Sequence, residues 1–161
     1  MIIISQLEEL KKALDEYIKV SESSTHREAR FLHRKLLEHN LPKDTLDGVN
    51  ILALHFVQMV GTDQPIRGVE LTEKMGVTKG ATSKITARLI NKRLIFKAHQ
   101  GDNKKDIYYS LTDLGKQVYQ IHEELHKREA ADMKDVLASF SQKQIDDAVK
   151  ILSEINFYRK G

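Results

Sequence analysis

The sequence predicts a mainly α fold with one small antiparallel sheet (α+β), and three observations carry that expectation. Apolar residues recur at three- and four-residue spacing through the long stretches of the chain. One short segment, Ile107 to Leu111, alternates apolar and polar positions instead, and Ile95 to His99 supplies an antiparallel partner. The chain has two prolines and eight glycines, with both prolines at helix boundaries, so helix dominates.

Along the chain, Leu7, Leu10, Leu14, Tyr17 and Ile18 mark an amphipathic first helix that the polar run Ser21–Thr25 interrupts or ends. A second segment, His26 to Glu38, carries Phe31, Leu32, Leu36 and Leu37, and Pro42 closes it. Thr45 is placed to cap the next helix, with Val49, Leu52, Phe56 and Val60 facing inward as scaffold. Leu71 and Met75 give a short helix one apolar edge, Gly76 supplies a turn, and Thr78 caps a second helix. In that second helix Ile85 and Leu89 repeat at four with Thr82 and Thr86 beside them. Lys79, Gly80, Ser83, Lys84, Ala87 and Arg88 are left on the outward face. After the strands, Leu114, Val118, Ile121 and Leu125 begin a helix expected over Asp113 to Ala138, about 39 Å long. Ser141 and Gln144 then form a capping box before a last helix carrying Ile145, Val149, Leu152 and Ile155.

Two short helices joined by a glycine turn and then a hairpin describe a winged helix-turn-helix. A basic amphipathic helix alone is usually just a solvated surface. Here its outward face is small, hydroxylic and cationic, which suits approach to base edges and pairing with guanine or phosphate. The hairpin tip "GDNKKD" adds Asn103, Lys104 and Lys105 beside it, where a DNA backbone or minor groove would run. The candidate DNA-binding residues are therefore Thr78, Lys79, Gly80, Thr82, Ser83, Lys84, Arg88, Asn103, Lys104 and Lys105.

Net charge is only +3, so any electrostatic footprint must be local. It is local: the stretch from Lys74 to Lys105 is rich in Lys and Arg and holds a single acid, Asp102. Absence of cysteine excludes a disulfide, a thiolate zinc site and thiol redox sensing. The short apolar start "MIIIS" has no hydrophobic stretch behind it, so neither secretion nor a membrane span is expected, and a cytoplasmic location is. No phosphate loop, nucleophile elbow or His-Glu-x-x-His run is present, so no catalytic residue is named and an enzyme is not expected.

The run "LTEKMGVTKGATSKITARLINKRLI", the wing with Asp102, and "SLTDLG" leading into a long helix resemble the MarR family of bacterial transcription regulators, from about Thr45 onward. The family usually carries Asp-x-Arg in the wing. Here Asp102-Asn103-Lys104 keeps the charge without the planar fork. The resemblance implies a homodimer on a pseudo-palindromic operator in double-stranded DNA, acting as a repressor that a small-molecule effector modulates. The terminal helices would then interlock two subunits, with Leu7, Leu10, Leu14, Leu125, Val149 and Leu152 in the contact. Residues 1–44 and 113–161 would dimerise and 45–112 would bind DNA, within one compact domain overall. Such a dimer sets two recognition helices one DNA turn apart, about 34–36 Å.

His122 and His126 stand at i and i+4, the spacing at which two imidazoles share a metal ion. The resembled family includes zinc-sensing repressors with such a pair on the corresponding helix. Zinc is accordingly a candidate cofactor, with His26, His33, His55 or a glutamate completing the shell. The bridging-helix histidine of those sensors corresponds to Asn50 here, with His55 further along. Two alternatives stand beside the effector-modulated repressor: a zinc-responsive regulator, and an architectural or protein-interaction winged helix without operator specificity.

Overall fold

A computed structural model describes residues 4–100 and 103–160, with side chains described outside 22–27, 100–104 and 159–160. The chain divides into two compact units, Met1–Leu125 and His126–Gly161.

The first unit opens with α1, Ile4–Glu38, one unbroken helix of 35 residues. The interruption expected at Ser21–Thr25 does not occur. Serine and threonine each cost a helix well under about 1 kcal/mol, and neither glycine nor proline lies between Ile4 and Glu38. Nothing in the run competes strongly enough to end the helix.

Helix α2 spans Ile51–Asp63, and its cap is Asn50, whose Oδ1 accepts from the Ala53 N–H at 3.0 Å. This corrects the expectation that Thr45 caps it. Thr45 is buried in the preceding turn, where its Oγ1 has no hydrogen-bond partner. With the start moved to Ile51, the inward face becomes Ala53, Leu54, Phe56, Val57 and Val60, while Leu52 turns outward and is exposed.

A two-residue strand that the sequence pattern did not reveal, β1 (Ile66–Arg67), leads into α3 (Gly68–Met75) and α4 (Lys79–Asn91). Strands β2 (Ile95–Gln100) and β3 (Asn103–Leu111) form the wing. The sheet order is β1-β3-β2, all antiparallel. Pairing runs from Ile95 opposite Leu111 to Ala98 opposite Tyr108, and the register slips between Ala98 and Gln100. Strand β3 thus begins inside the polar link of the hairpin. Side-chain alternation shows only where one face is buried, and of the described β3 side chains only Tyr109 and Leu111 are.

Helix α5, Asp113–Leu137, comes directly after β3. Thr112 caps it, its Oγ1 accepting from the Gly115 N–H at 2.9 Å while its carbonyl accepts from Lys116 at 2.8 Å. The core of this unit gathers Leu32 and Leu36 of α1, Phe56 and Val60 of α2, Leu71 of α3, Leu89 of α4, Ile66, Ile95 and Leu111 of the sheet, and Val118 and Ile121 of α5.

The second unit holds the rest of α5 and α6, Gln142–Lys160. The expected capping box is formed: Gln144 Oε1 accepts from the Ser141 N–H at 2.9 Å, and Ser141 Oγ accepts from the Gln144 N–H at 3.4 Å. No described residue of this unit is buried. Among the described residues, no helix is long and apolar enough to cross a membrane.

Candidate nucleic-acid interface

The turn between α3 and α4 is built by Gly76, which takes a left-handed conformation (φ 61°, ψ 31°) and donates its N–H to the Glu73 carbonyl at 3.1 Å. A side chain there would be strained, which is why glycine stands at this point. Two residues on, Thr78 Oγ1 accepts from the Ala81 N–H at 3.2 Å and starts α4. The Thr72 hydroxyl, 2.9 Å from that of Thr82, ties α3 to α4. Thr86 Oγ1 donates to the Thr82 carbonyl at 2.9 Å and lies 3.4 Å from the Tyr109 hydroxyl.

These bonds fix which way α4 faces. Thr82 and Thr86 point into the lobe and are buried, whereas Thr78, Lys79, Gly80, Ser83, Lys84, Ala87 and Arg88 are exposed. The expectation that Thr82 contacts DNA is thereby corrected: its hydroxyl holds two helices together and does not reach the surface. Arg88 is exposed but not idle, since its Nη1 donates to the Gly48 carbonyl at 2.9 Å. Lys92 makes a parallel bond, Nζ to the Asp44 carbonyl at 2.6 Å. The C-terminal end of α4 is thus strapped to the loop between α1 and α2. The cations that this strapping leaves to the outward face, Lys79 and Lys84, lie in the N-terminal half of the helix.

In the wing, His99 Nδ1 lies 2.9 Å from the Asp106 carbonyl and Lys105 is exposed. The side chains of Asn103 and Lys104 lie outside the described residues. Lys74, at the start of the basic stretch, is engaged elsewhere. Its ammonium bonds Asp63 at 2.8 Å and lies 3.4 Å from Glu70. The Asp63 bond is the main cause of a pKa pushed above the ordinary lysine value.

The first unit holds a second constellation. Glu28 of α1, His55 of α2 and His122 of α5 each present one ligand atom within 4.8 Å of the others. His122 is buried, with Nε2 3.4 Å from Glu28 Oε1. Its ring centroid is 5.8 Å from that of His55. Two imidazole nitrogens and one carboxylate oxygen, with no sulfur, match the ligand types of zinc and other divalent first-row metals. Of the sequence candidates, His55 joins His122, His126 falls in the second unit, His33 lines a different pocket with Leu46 and Asn50, and the His26 side chain lies outside the described residues. Asn50 caps α2 instead. Glu28, which sequence reasoning missed, sits four residues before Leu32 and eight before Leu36, so a carboxylate extending the buried stripe of α1 was the available signal.

Of the residues expected to dimerise, Leu7, Leu10, Val149 and Leu152 are exposed and Leu14 is half-buried. Leu125 is corrected: it is buried inside its own chain.

A family model described as "Winged helix DNA-binding domain" matches residues 46–115, the span of helix-turn-helix and wing. The fold and this face therefore define a winged helix-turn-helix domain of DNA-binding type. The HTH-type transcriptional regulator PchR of Bacillus subtilis (strain 168) is 31% identical over 106 residues, 66% of this chain and 63% of that protein. This chain thus spans somewhat under two thirds of that relative. The adhesin competence repressor AdcR from Streptococcus pyogenes superposes with a TM-score of 0.70 at 16% identity, over 94% of this chain and 98% of that one. A zinc-responsive MarR family member, Lactococcus lactis ZitR, superposes with a TM-score of 0.59 at 14% identity, over 68% and 76%. The chain carries a winged helix DNA-binding domain over residues 46–115 and shares the fold of these two proteins.

Proposed function

We propose that the protein is a dimeric, sequence-specific DNA-binding repressor that works in the cytoplasm, where its DNA is. The observation that carries this reading is the exposed face of α4, on which Lys79, Gly80, Ser83 and Lys84 stand together beside a wing ending in lysines. Small and hydroxylic residues admit base edges, and the lysines pair with guanine or phosphate. Residues 45–112 would supply this contact, and residues 1–44 and 113–161 would pair two copies.

One observation supports the pairing. Ile4, Leu7, Leu10, Tyr17 and Ile18 of α1 and Val149, Leu152, Phe157 and Tyr158 of α6 are exposed in one chain.

Selection of bound sites from random DNA, then footprinting, tests the reading. A single protected pseudo-palindrome is expected, and Lys84→Ala should relax the preference at one base pair per half-site, by about 1–3 kcal/mol. Uniform coverage without a preferred site would sink operator recognition in favour of an architectural role.

The cluster of Glu28, His55 and His122 favours a divalent metal, zinc first, as the effector, over the small organic molecule otherwise expected. These residues would hold the ion, and His126, at i+4 from His122, is the further ligand that the sequence spacing offers. When bound, zinc would join α1 and α5 to α2, the helix on which α4 rests. Likeness to a zinc-responsive protein of the same fold supports this. Zinc titrated into chelator-treated protein should raise or lower operator affinity, and His122→Ala with His126→Ala should abolish the response. An operator affinity indifferent to zinc would leave the effector a small organic molecule.

A further inference from the structure

His122 touches a residue that neither DNA contact nor the cluster with Glu28 and His55 uses. Its Nδ1 lies 3.2 Å from Gln58 Oε1, and Gln58 Nε2 donates to the Glu123 carboxylate. The three residues come from two helices of the same unit, α2 and α5, and Gln58 and Glu123 are half-buried.

The chemistry of this chain of contacts has one direction. A glutamine amide offers an oxygen acceptor at one end and N–H donors at the other, while an ionised carboxylate only accepts. Glu123 therefore requires the NH₂ end of Gln58, which leaves the amide oxygen turned to His122. An oxygen at Nδ1 in turn requires a proton on Nδ1. In the neutral ring the lone pair then sits on Nε2, the nitrogen that faces Glu28 at 3.4 Å. A lone pair and a carboxylate oxygen at that separation, with His55 beside them, attract a shared cation.

We infer that Gln58 is the positioning residue that holds His122 as its Nδ1–H tautomer, with Glu123 orienting Gln58, and so presents Nε2 to a divalent ion bound with Glu28 and His55. The inference rests on the metal reading of the proposed function and adds to it the residue that sets the ligand. Outer-shell partners of this kind fix ring orientation and raise ligand basicity, and their loss typically costs about 10–100-fold in metal affinity. Gln58 also sits on the helix that carries α4, so the ligand that a metal would pull on is hydrogen-bonded to the scaffold of the DNA-reading face.

The experiment uses full-length protein and zinc alone as the probe. Gln58→Met keeps length and volume but removes the acceptor, and zinc affinity by chelator competition is expected to fall about 10–100-fold. Gln58→Glu places a carboxylate against Glu123 and should weaken zinc as well. Adding Glu123→Gln to Gln58→Glu keeps an acceptor at His122 and restores a donor–acceptor pair behind it, so affinity should return to within about threefold of the parent. A second readout needs no metal: ring-nitrogen NMR of zinc-free protein at alkaline pH should report the Nδ1–H tautomer for His122 in the parent and its loss in Gln58→Met. A parent found in the Nε2–H form overturns the inference whatever zinc does. Zinc binding by Gln58→Met at parental affinity overturns it while leaving the metal site standing. A parent that takes up no zinc overturns the metal reading and this inference together, and the NMR result then assigns Gln58 a purely structural contact.

Discussion

At the scale of single residues, the informative position on α4 is Gly80, second in the helix, exposed, and in a place where a side chain would meet little. A Cβ there would find nothing nearer than Thr78 Oγ1 at 4.0 Å. Its backbone is ordinary helix, so the lobe itself gives no reason for glycine. Alanine would stabilise the helix by about 0.5–1 kcal/mol. Under the proposed DNA contact the reason lies on the outward side, where the missing Cβ would let backbone approach a groove. Gly80→Ala is therefore expected to raise the melting temperature and lower operator affinity. A variant that gains stability and binds DNA as before would remove Gly80 from the contact. The neighbouring residues divide for reasons that sequence spacing half disclosed. Lys79, Ser83 and Lys84 face outward as their period required. Thr82 stands beside the apolar stripe, and its bond to Thr72, a tertiary contact, holds it inward. The Arg88 bond to the Gly48 carbonyl joins residues forty apart, beyond any local pattern.

At the scale of elements, the entry into α5 shows why glycine stands after Leu114 in "SLTDLG". A Cβ on Gly115 would lie 1.8 Å from the Leu94 carbonyl oxygen and 2.8 Å from its carbon, both backbone atoms at the end of the α4–β2 turn. Backbone cannot swing aside as a side-chain tip can, so the helix itself would have to move. Gly115→Ala should destabilise the protein by about 3 kcal/mol or more, at the upper end of overpacking costs, read as a lower midpoint in chemical denaturation. A change below about 0.5 kcal/mol would mean that α5 does not dock so closely. The same scale explains what the sequence disclosed. Helices with strong local signals, α4, α5 and α6, were legible nearly to their ends, because caps such as Thr78 and Ser141 act within three residues. The unbroken α1 was not, because weak helix formers at Ser21–Thr25 resemble an end without being one. Strand β1 escaped because two residues carry no period. Of the proposed metal ligands, His122 was visible through its i, i+4 spacing to His126. Glu28 and His55 were placed only by the packing of α1 and α2 against α5.

At the scale of the whole molecule, the unpartnered apolar residues of α6 allow a sharp separation of folding from assembly. Val149 is 59% exposed and Leu152 47% in the single chain. An aspartate at either position would cost an isolated chain little, because a carboxylate in water is at home. Set into a dimer contact, the same aspartate would lose its hydration without a counter-charge, at a cost on the order of 3 kcal/mol or more per protomer. That is more than about a hundredfold in the dimer dissociation constant. Leu125→Asp is the opposite case: with Leu125 6% exposed inside its own chain, the charge would disrupt the lobe before any partner arrives. The expected pattern is therefore a Val149→Asp, Leu152→Asp double variant that keeps its helical circular dichroism, sediments as a monomer at micromolar concentration, and binds a half-site far more weakly than the parent binds its full site. Leu125→Asp should lose helicity. A double variant that remains dimeric would place the subunit contact elsewhere, and a parent that sediments as a monomer would leave α1 and α6 without the partner their exposed apolar residues require.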